Sequence, residues 1–245
     1  MPLIHAEEAK KPNVLLIAID DLNDWIGCLG GHPQAKTPNI DRLAARGVLF
    51  KNAHCQSPVC NPSRASMMTS LHPATTGIYF LNPDLSESPI AKKNTLLPRR
   101  FEAEGYHVTG AGKLFHGNQN KKYMPNYGGS FGGFGPIPKK KISSFPGHPL
   151  WDWGAFPDSD EKMPDYMISA WGVAQLQKKH DKPLFLATGF YRPHVPPASY
   201  THLTLPTTYS VQTTVVPATL KKKNNNTKIN LHIEQQRQIN NSKNR

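Results

Sequence analysis

Cysteines and long apolar runs are scarce in this sequence, and both absences narrow what the protein can be. The 245 residues include three cysteines, Cys28, Cys55 and Cys60, an odd number without a CxxC pair. This pattern argues against a disulfide framework and a zinc-ribbon site, and it leaves a thiol available for another task. No apolar run approaches the roughly 20 residues of a membrane-spanning helix, so we predict no membrane span.

Acidic residues are also few, with 17 Asp and Glu against 29 Lys and Arg, which gives a formal net charge of +12. Such a charge can indicate a polyanionic partner. Half of this net charge, however, comes from basic residues after Pro197, and the other half is spread over the preceding chain. Because this distribution does not favour one basic face, we predict no nucleic-acid partner.

The two ends of the chain differ in character from its middle. Residues 1–6 are mostly apolar, which fits either the remainder of a secretory signal or an ordinary disordered terminus. The first interpretation predicts a periplasmic or secreted protein. After Pro197, Thr, Asn, Gln and Lys dominate without a sustained helical or strand period. We therefore predict one domain over 11–197 and a tail over 198–245 that is either non-native or disordered.

Strand and helix patterns alternate along the predicted domain. Aliphatic runs typical of strands buried on both faces of a parallel sheet occur at 14–19 and 183–188, and shorter strands are predicted at 48–50 and 106–111. Helices with capping residues, prolines or terminal glycines are predicted at 37–47, 62–70, 97–104 and 165–180. Surface loops are predicted over 117–164. This order predicts an α/β fold with a mostly parallel sheet and helices on both faces.

Two finer predictions concern individual helices of this series. In the helix over 37–47, Ile40, Leu43 and Ala44 are expected to face inward, and Asp165 is expected to cap the helix over 165–180.

Asp20 and Asp21 directly follow the first predicted strand. Adjacent carboxylates at the end of a buried strand repel each other and are partly desolvated, and a hard divalent cation would neutralise them. A solvated turn is the alternative interpretation. Lys113 and His194 also follow predicted strands, and functional groups of parallel sheets gather at the carboxyl ends of the strands. This edge is therefore the expected site.

The segment Cys60-Asn61-Pro62-Ser63-Arg64 carries the most specific pattern. Proline suits the first turn of a helix, which places Cys60 at the amino end, where free N–H groups and the helix dipole favour an anion. Arg64 is close enough along the helix to share that anion. The plain alternative for Cys60 is a buried structural thiol.

This segment resembles the CxPSR signature of sulfatases, and four other segments resemble the same family in the same order. They are residues 12–21, 37–44, 112–116 and 192–194. The resemblance covers about 11–197, and the GKxFH and RPHxP spacings are most similar to the iduronate-2-sulfatase branch. It implies the alkaline-phosphatase-like sulfatase fold.

The resemblance also implies the reacting group and its metal. Cys60 would be oxidised to Cα-formylglycine by a formylglycine-generating enzyme, and a hydroxyl of the hydrated aldehyde would attack sulfur. The second hydroxyl would then collapse to the aldehyde and release sulfate. Asp20, Asp21 and the modified Cys60 would hold Ca²⁺, which would polarise the sulfate oxygens.

Four further residues receive roles by the same resemblance. Arg64 would orient and stabilise the formylglycine, and Lys113 and His194 would bind the sulfate oxygens. Lys113 and His116 would also take part in catalysis, His116 by assisting the hydrate or its collapse. For each histidine alone, a structural role is the alternative.

One departure from the family concerns the end of the match. Sulfatases carry a further Asp-His or Asp-Asn pair and a second Lys beyond the RPHxP turn, whereas no aspartate follows Asp181 here. The resemblance therefore predicts the N-terminal part of a sulfatase domain, with an incomplete calcium shell, acting on a sulfated sugar. A truncated chain without turnover and a phosphonate or phosphodiester hydrolase of the same superfamily are the alternatives.

Overall fold

The structure is a computed structural model, and it describes residues 11–144, 146–147, 152 and 154–195 together with the backbone of Ala198–Ser199. The predictions for the N-terminal segment 1–6 and for most of the tail lie outside the described residues. Trp151 and Trp153, in the predicted loop region 117–164, lie outside them as well.

The described residues form two small sheets and several helices. The strands are β1 (Val14–Ile19), β2 (His107–Gly112), β3 (Gly154–Ala155), β4 (Leu184–Phe190) and β5 (Ala198–Ser199). The α-helices are α1 (Pro38–Arg46), α2 (Cys60–Thr69), α3 (Pro73–Thr76), α4 (Pro89–Lys93), α5 (Leu97–Ala103), α6 (Gln119–Tyr123) and α7 (Pro164–Gln177). Short 3₁₀ helices occur at Gly27–Leu29, Leu85–Glu87 and Asp160–Lys162. Among these elements no helix has the length and apolar character needed to cross a membrane.

The main sheet has the order β1-β4-β2, and both strand pairs are parallel. On one face of the central strand, Phe185 packs into the core formed with α2 and α5, and the Phe101 ring of α5 stacks on it with centroids 4.2 Å apart. On the other face, α7 packs closely on the central strand. A Cβ atom added to Gly172 of α7 would stand 3.1 Å from the methyl group of Thr188 in β4. The predicted parallel α/β architecture with helices on both faces is confirmed.

One strand of this sheet departs from the prediction of burial on both faces. Leu15 and Ile17 of β1 are each 47% exposed, whereas the alternate residues Val14 and Leu16 pack against the core. The exposed face is the one that α7 covers on β4 and β2, and α7 does not extend over β1. The apolar run was therefore a correct signal for a strand, but it did not establish what covers the strand.

The helix at 37–47 has the predicted ends but not the predicted packing. It begins at Pro38 after Thr37 and ends before Gly47, yet it contains no buried residue, and Leu43 is 54% exposed. The expectation that Leu43 faces inward is wrong, and Ile40 and Ala44 are only half-buried, because α1 packs on the short Gly27–Leu29 helix and not on the main core.

The predicted strand at 48–50 is also wrong. Residues 48–50 have no regular structure, and Val48 and Phe50 are 80% and 75% exposed, because no described strand pairs with them. The predicted loop region 117–164 contains α6, β3 and a 3₁₀ helix, elements too short to show a period in the sequence.

Candidate active site

A buried carboxylate joins three elements at the carboxyl edge of the sheet. Asp20 follows β1, its backbone N–H continues the ladder to Phe190 O at 3.1 Å, and the residue is only 4% exposed. Arg64, from α2, donates from Nη2 to Asp20 Oδ1 at 2.8 Å. Lys113, which follows β2, donates from Nζ to the other carboxylate oxygen. The structure thus brings together three of the residues that the sequence singled out.

Opposing effects set the charge state of Asp20. Burial alone would raise its pKa, but the charge of Arg64 and the hydrogen bonds from Lys113 and Arg64 outweigh burial and hold the pKa below the usual value. The carboxylate is therefore ionised at neutral pH. With two cations against one anion, the cluster carries one net positive charge, which favours an anionic ligand.

Close backbone contact between β2 and β4 fixes Lys113. Its N–H donates to Gly189 O at 2.7 Å, and its carbonyl oxygen accepts a hydrogen bond from Arg64 Nη1. A Cβ on Gly189 would stand 2.0 Å from that carbonyl oxygen, and a Cβ on Gly112 would stand 2.0 Å from Gly189 O. The two glycines therefore permit the approach that places Lys113 beside Asp20.

Replacing Gly189 with alanine is expected to lower the free energy of unfolding by about 2–3 kcal/mol, because the added methyl group must push the two strand ends apart. Urea unfolding monitored by circular dichroism measures this. Gly47→Ala is the matched control, since its Cβ would meet nothing closer than Leu43 O at 3.3 Å. An equal loss in the two variants would contradict the close-contact explanation.

Cys60 is the first residue of α2 and is half buried. The helix starts at Cys60 rather than at the predicted residue 62, so Cys60 and Arg64 are separated by one turn and lie on the same face. Asn61, 2% exposed, donates from its side chain to the carbonyl oxygens of Phe80, Leu81 and Pro83. The amino end of α2 is therefore anchored beside the thiol.

Asp21 and His194 lie at the rim of the ion-pair cluster. Asp21 has a left-handed backbone, with φ of 59°, and its carboxylate is half exposed. His194 Nε2 is 3.8 Å from Asp21 Oδ2, and His194 Nδ1 lies 2.7 Å from Val195 O. The two adjacent aspartates thus have different partners, the inner one Arg64 and Lys113, the outer one His194.

A pocket of about 360 Å³ opens beside the cluster. It is lined by residues that include Lys113, His116, Lys121, Tyr127, Phe134 and Tyr191, and none of the described lining residues is acidic. The Phe134 ring lies 4.7 Å from Lys113 Nζ and 4.8 Å from the His194 ring. The pocket therefore combines cationic groups with aromatic faces.

His116 contributes a neutral imidazole to this pocket. Burial and the charge of Lys113 lower its pKa below the ordinary value of 6.5. An uncharged imidazole can accept or donate a proton at neutral pH, which is the property that a general acid or base requires.

Asp165 has a role that the sequence did not reveal. It was expected to cap a helix, but α7 begins at Pro164, and the carboxylate accepts hydrogen bonds from Tyr191 N and Arg192 N, each at 2.8 Å. Arg192 Nη1 in turn donates to His194 O at 3.0 Å. Asp165 thus fixes the turn that carries His194, and no local sequence pattern signals a contact over this separation.

Asp165→Ala is expected to cost about 2 kcal/mol of unfolding free energy, because two backbone N–H groups lose their acceptors. Urea unfolding measures the loss. Asp158→Ala serves as control, because its carboxylate is exposed and pairs with Lys162 on the surface, so stability should not change. Unchanged stability in the Asp165 variant would contradict the anchoring role.

Ca²⁺ prefers about six to eight oxygen ligands, and the described residues at this edge of the sheet offer too few that are free. Asp20 and Asp21 are donors of the right type, but Asp20 uses both oxygens on Arg64 and Lys113, and Asp21 lies beside His194. Within the described part of the chain no group of three or more His, Cys, Asp or Glu is placed to hold a metal ion. These residues do not form a calcium site by themselves.

Comparison with known proteins identifies the class of protein that this fold and site define. The family model "Sulfatase" matches residues 12–241, and the chain therefore belongs to the sulfatase family. The match extends beyond Pro197 into the region 198–245, for which the assignment as a non-native or disordered tail stays a prediction.

Two curated relatives share the sequence at different levels. A sulfatase from Formosa agariphila is 43% identical over 205 residues, which cover 78% of this chain and 40% of the relative. Human iduronate 2-sulfatase is 32% identical over 197 residues, which cover 75% of this chain and 35% of the relative. The chain spans about two fifths or less of the length of these relatives.

A solved structure shares the fold. Phosphonate monoester hydrolase of Agrobacterium radiobacter superposes with a TM-score of 0.54 at 21% identity, covering 75% of this chain and 41% of that chain. At this identity the likeness shows the fold alone. With the family match, it identifies the sheet and its helices as part of the alkaline-phosphatase-like sulfatase fold.

Proposed function

We propose that this chain is the N-terminal part of a sulfuric ester hydrolase that removes sulfate from a sulfated sugar. The observation that carries the proposal is the buried cluster of Asp20, Arg64 and Lys113, which has a net positive charge beside the helix that begins at Cys60. A sulfate ester is a small anion, and a preorganised cationic site favours both its binding and the charge that develops on its oxygens.

Cys60 is the proposed source of the nucleophile. It lies at the amino end of α2 on the helix face that carries Arg64, and the sequence around it has the CxPSR pattern. Oxidation to formylglycine would supply a geminal diol, one hydroxyl for attack on sulfur and the other for release of sulfate. A formylglycine-generating enzyme is the protein partner that this proposal requires.

The proposed roles of the remaining residues follow from their positions. Lys113 and His194, which both lie close to the Phe134 ring, bind sulfate oxygens, and Arg64 neutralises charge at the amino end of α2. His116, neutral at the pocket wall, moves the proton that the diol gains or loses.

The pocket beside the cluster supports a sugar as the group that carries the sulfate. Its aromatic lining, from Tyr127, Phe134 and Tyr191, suits the apolar face of a pyranose ring. Lys121, also in the lining, suits an additional anionic substituent such as a carboxylate. The likeness to iduronate 2-sulfatase, an enzyme named for a sulfated uronic acid, agrees with this assignment.

Calcium is part of the proposal only if residues outside the described part of the chain supply further ligands. The family resemblance implies that Asp20 and Asp21 share Ca²⁺ with the modified Cys60, and the described residues supply too few oxygen ligands for this. Further ligands would have to come from outside the described part of the chain.

The activity is tested with the chain coexpressed with a formylglycine-generating enzyme, after mass spectrometry of the Cys60 peptide has verified conversion of the thiol. Release of sulfate from a 2-sulfated uronic acid and from an aryl sulfate is expected, with an aryl phosphonate hydrolysed much more slowly. Faster hydrolysis of the phosphonate would replace the proposal with a phosphonate hydrolase. Full conversion of Cys60 without turnover of any ester would identify the chain as an inactive fragment.

A further inference from the structure

A single side-chain amide holds the turn that follows Lys113. Asn120 lies in α6 and is 5% exposed. Its Oδ1 accepts hydrogen bonds from Leu114 N at 2.9 Å and Phe115 N at 2.7 Å. Its Nδ2 donates to Phe115 O at 3.3 Å and to Gly117 O at 3.2 Å. The primary amide thus uses both lone pairs and both N–H groups on the backbone of one turn.

The turn carries two of the residues that face the pocket. Lys113 immediately precedes the first bonded residue, and His116 lies between the two residues whose carbonyl oxygens accept from Asn120. The intervening side chains, Leu114 and Phe115, are fully buried. The hydrogen bonds from Asn120 therefore hold the backbone on both sides of His116, at Phe115 and at Gly117.

We propose that Asn120 is a positioning residue for the sulfate site, which holds the turn 113–117 so that Lys113 and His116 present their side chains to the pocket. The inference rests on the proposed function, because it assigns the turn a role in binding sulfate. Asn120 acts through these neighbours, since its own amide is used entirely on the backbone.

No other side chain reproduces this set of bonds. Aspartate keeps an acceptor for the two N–H groups but places a negative charge against two carbonyl oxygens, and alanine removes all four bonds. Displacement of a binding group by about 1 Å can cost on the order of 100-fold in a preorganised site, so relaxation of the turn should be visible in ligand affinity.

The test compares Asn120→Ala with Asn94→Ala in the full chain. Asn94 is a matched control because its Nδ2 also bridges to a backbone oxygen, Thr69 O, but at the far end of α2 from Cys60. Hydrogen exchange of the Leu114 and Phe115 amides measures how well the turn 113–117 is held in place. Titration with inorganic sulfate, at a temperature where both variants are folded, measures the Kd of the sulfate site.

In Asn120→Ala, the Leu114 and Phe115 amides should lose protection, and the sulfate Kd should rise by about tenfold or more. In Asn94→Ala, both readouts should stay within twofold of the wild type. Asn120→Asp, measured by exchange only, should retain protection at these amides because it keeps the acceptor. A purely structural Asn120 would lower stability and leave the sulfate Kd unchanged, and that result would overturn the proposal.

Failure of the proposed function gives a different result. If the wild-type chain does not bind sulfate, the sulfatase proposal and the positioning role both fall. If sulfate binds but the exchange of Leu114 and Phe115 is the same in Asn120→Ala as in the wild type, only the positioning role is wrong.

Discussion

Replacing Cys60 with alanine is expected to abolish sulfate release by the matured protein, with a loss on the order of 10⁶-fold in kcat, the scale seen when a hydrolase loses its nucleophile. The physical reason is that alanine offers no side chain that can be oxidised to an aldehyde, so no geminal diol can attack sulfur. The binding cluster of Asp20, Arg64 and Lys113 remains intact in this variant. Inorganic sulfate should therefore still bind, and only turnover should disappear.

The chain supplies matched controls for this experiment. Cys28 and Cys55 are also free thiols, and the second is exposed, so Cys28→Ala and Cys55→Ala should retain turnover. Cys60→Ser tests the second hydroxyl of the diol. A serine could accept the sulfuryl group but could not expel it by forming an aldehyde, so mass spectrometry should find a stable sulfate ester on residue 60. Multiple turnovers by the alanine variant would disprove the assignment of Cys60.

The sheet was largely predictable because its signals are local. The aliphatic run at Val14–Ile19 and the run that becomes Leu184–Phe190 indicated parallel strands, and the prolines and glycines around α1 and α5 marked their ends. The functional edge followed from the same logic, because Asp20 and Lys113 come directly after strands. Parallel strands end at the same edge, so side chains distant in sequence meet there.

Two features were less predictable, namely which strand faces are covered by helices and which side chains form ion pairs, because both depend on elements that are distant in sequence. The exposed face of β1 could not be inferred from Leu15 and Ile17, since burial of a strand requires a helix over it. The sequence also gave no indication that one carboxylate, Asp20, would receive both Arg64 and Lys113. The anchoring by Asp165 and Asn120 was missed for the same reason, because each amide or carboxylate finds its backbone partners only in the folded chain.

Replacing Asp20 with alanine is expected to cost about 3–5 kcal/mol of unfolding free energy, because it leaves two buried cations without their anion. The side chains of Arg64 and Lys113 are only 7% and 5% exposed, so bulk water solvates them poorly once the carboxylate is gone. Urea unfolding at neutral pH measures the loss. Glu102→Ala, which removes an exposed pair with Arg99, should cost no more than about 1 kcal/mol.

A triple variant separates the stability of this cluster from its function. Asp20→Leu combined with Arg64→Met and Lys113→Met removes all three charges and keeps similar volume, and buried ion pairs exchanged in this way are often neutral or stabilising. The triple variant should therefore recover most of the stability that Asp20→Ala loses, while sulfate binding disappears. That result would mean that the charges are retained for the anion and not for folding. A triple variant as unstable as Asp20→Ala would show instead that the ion pairs are themselves required for the fold.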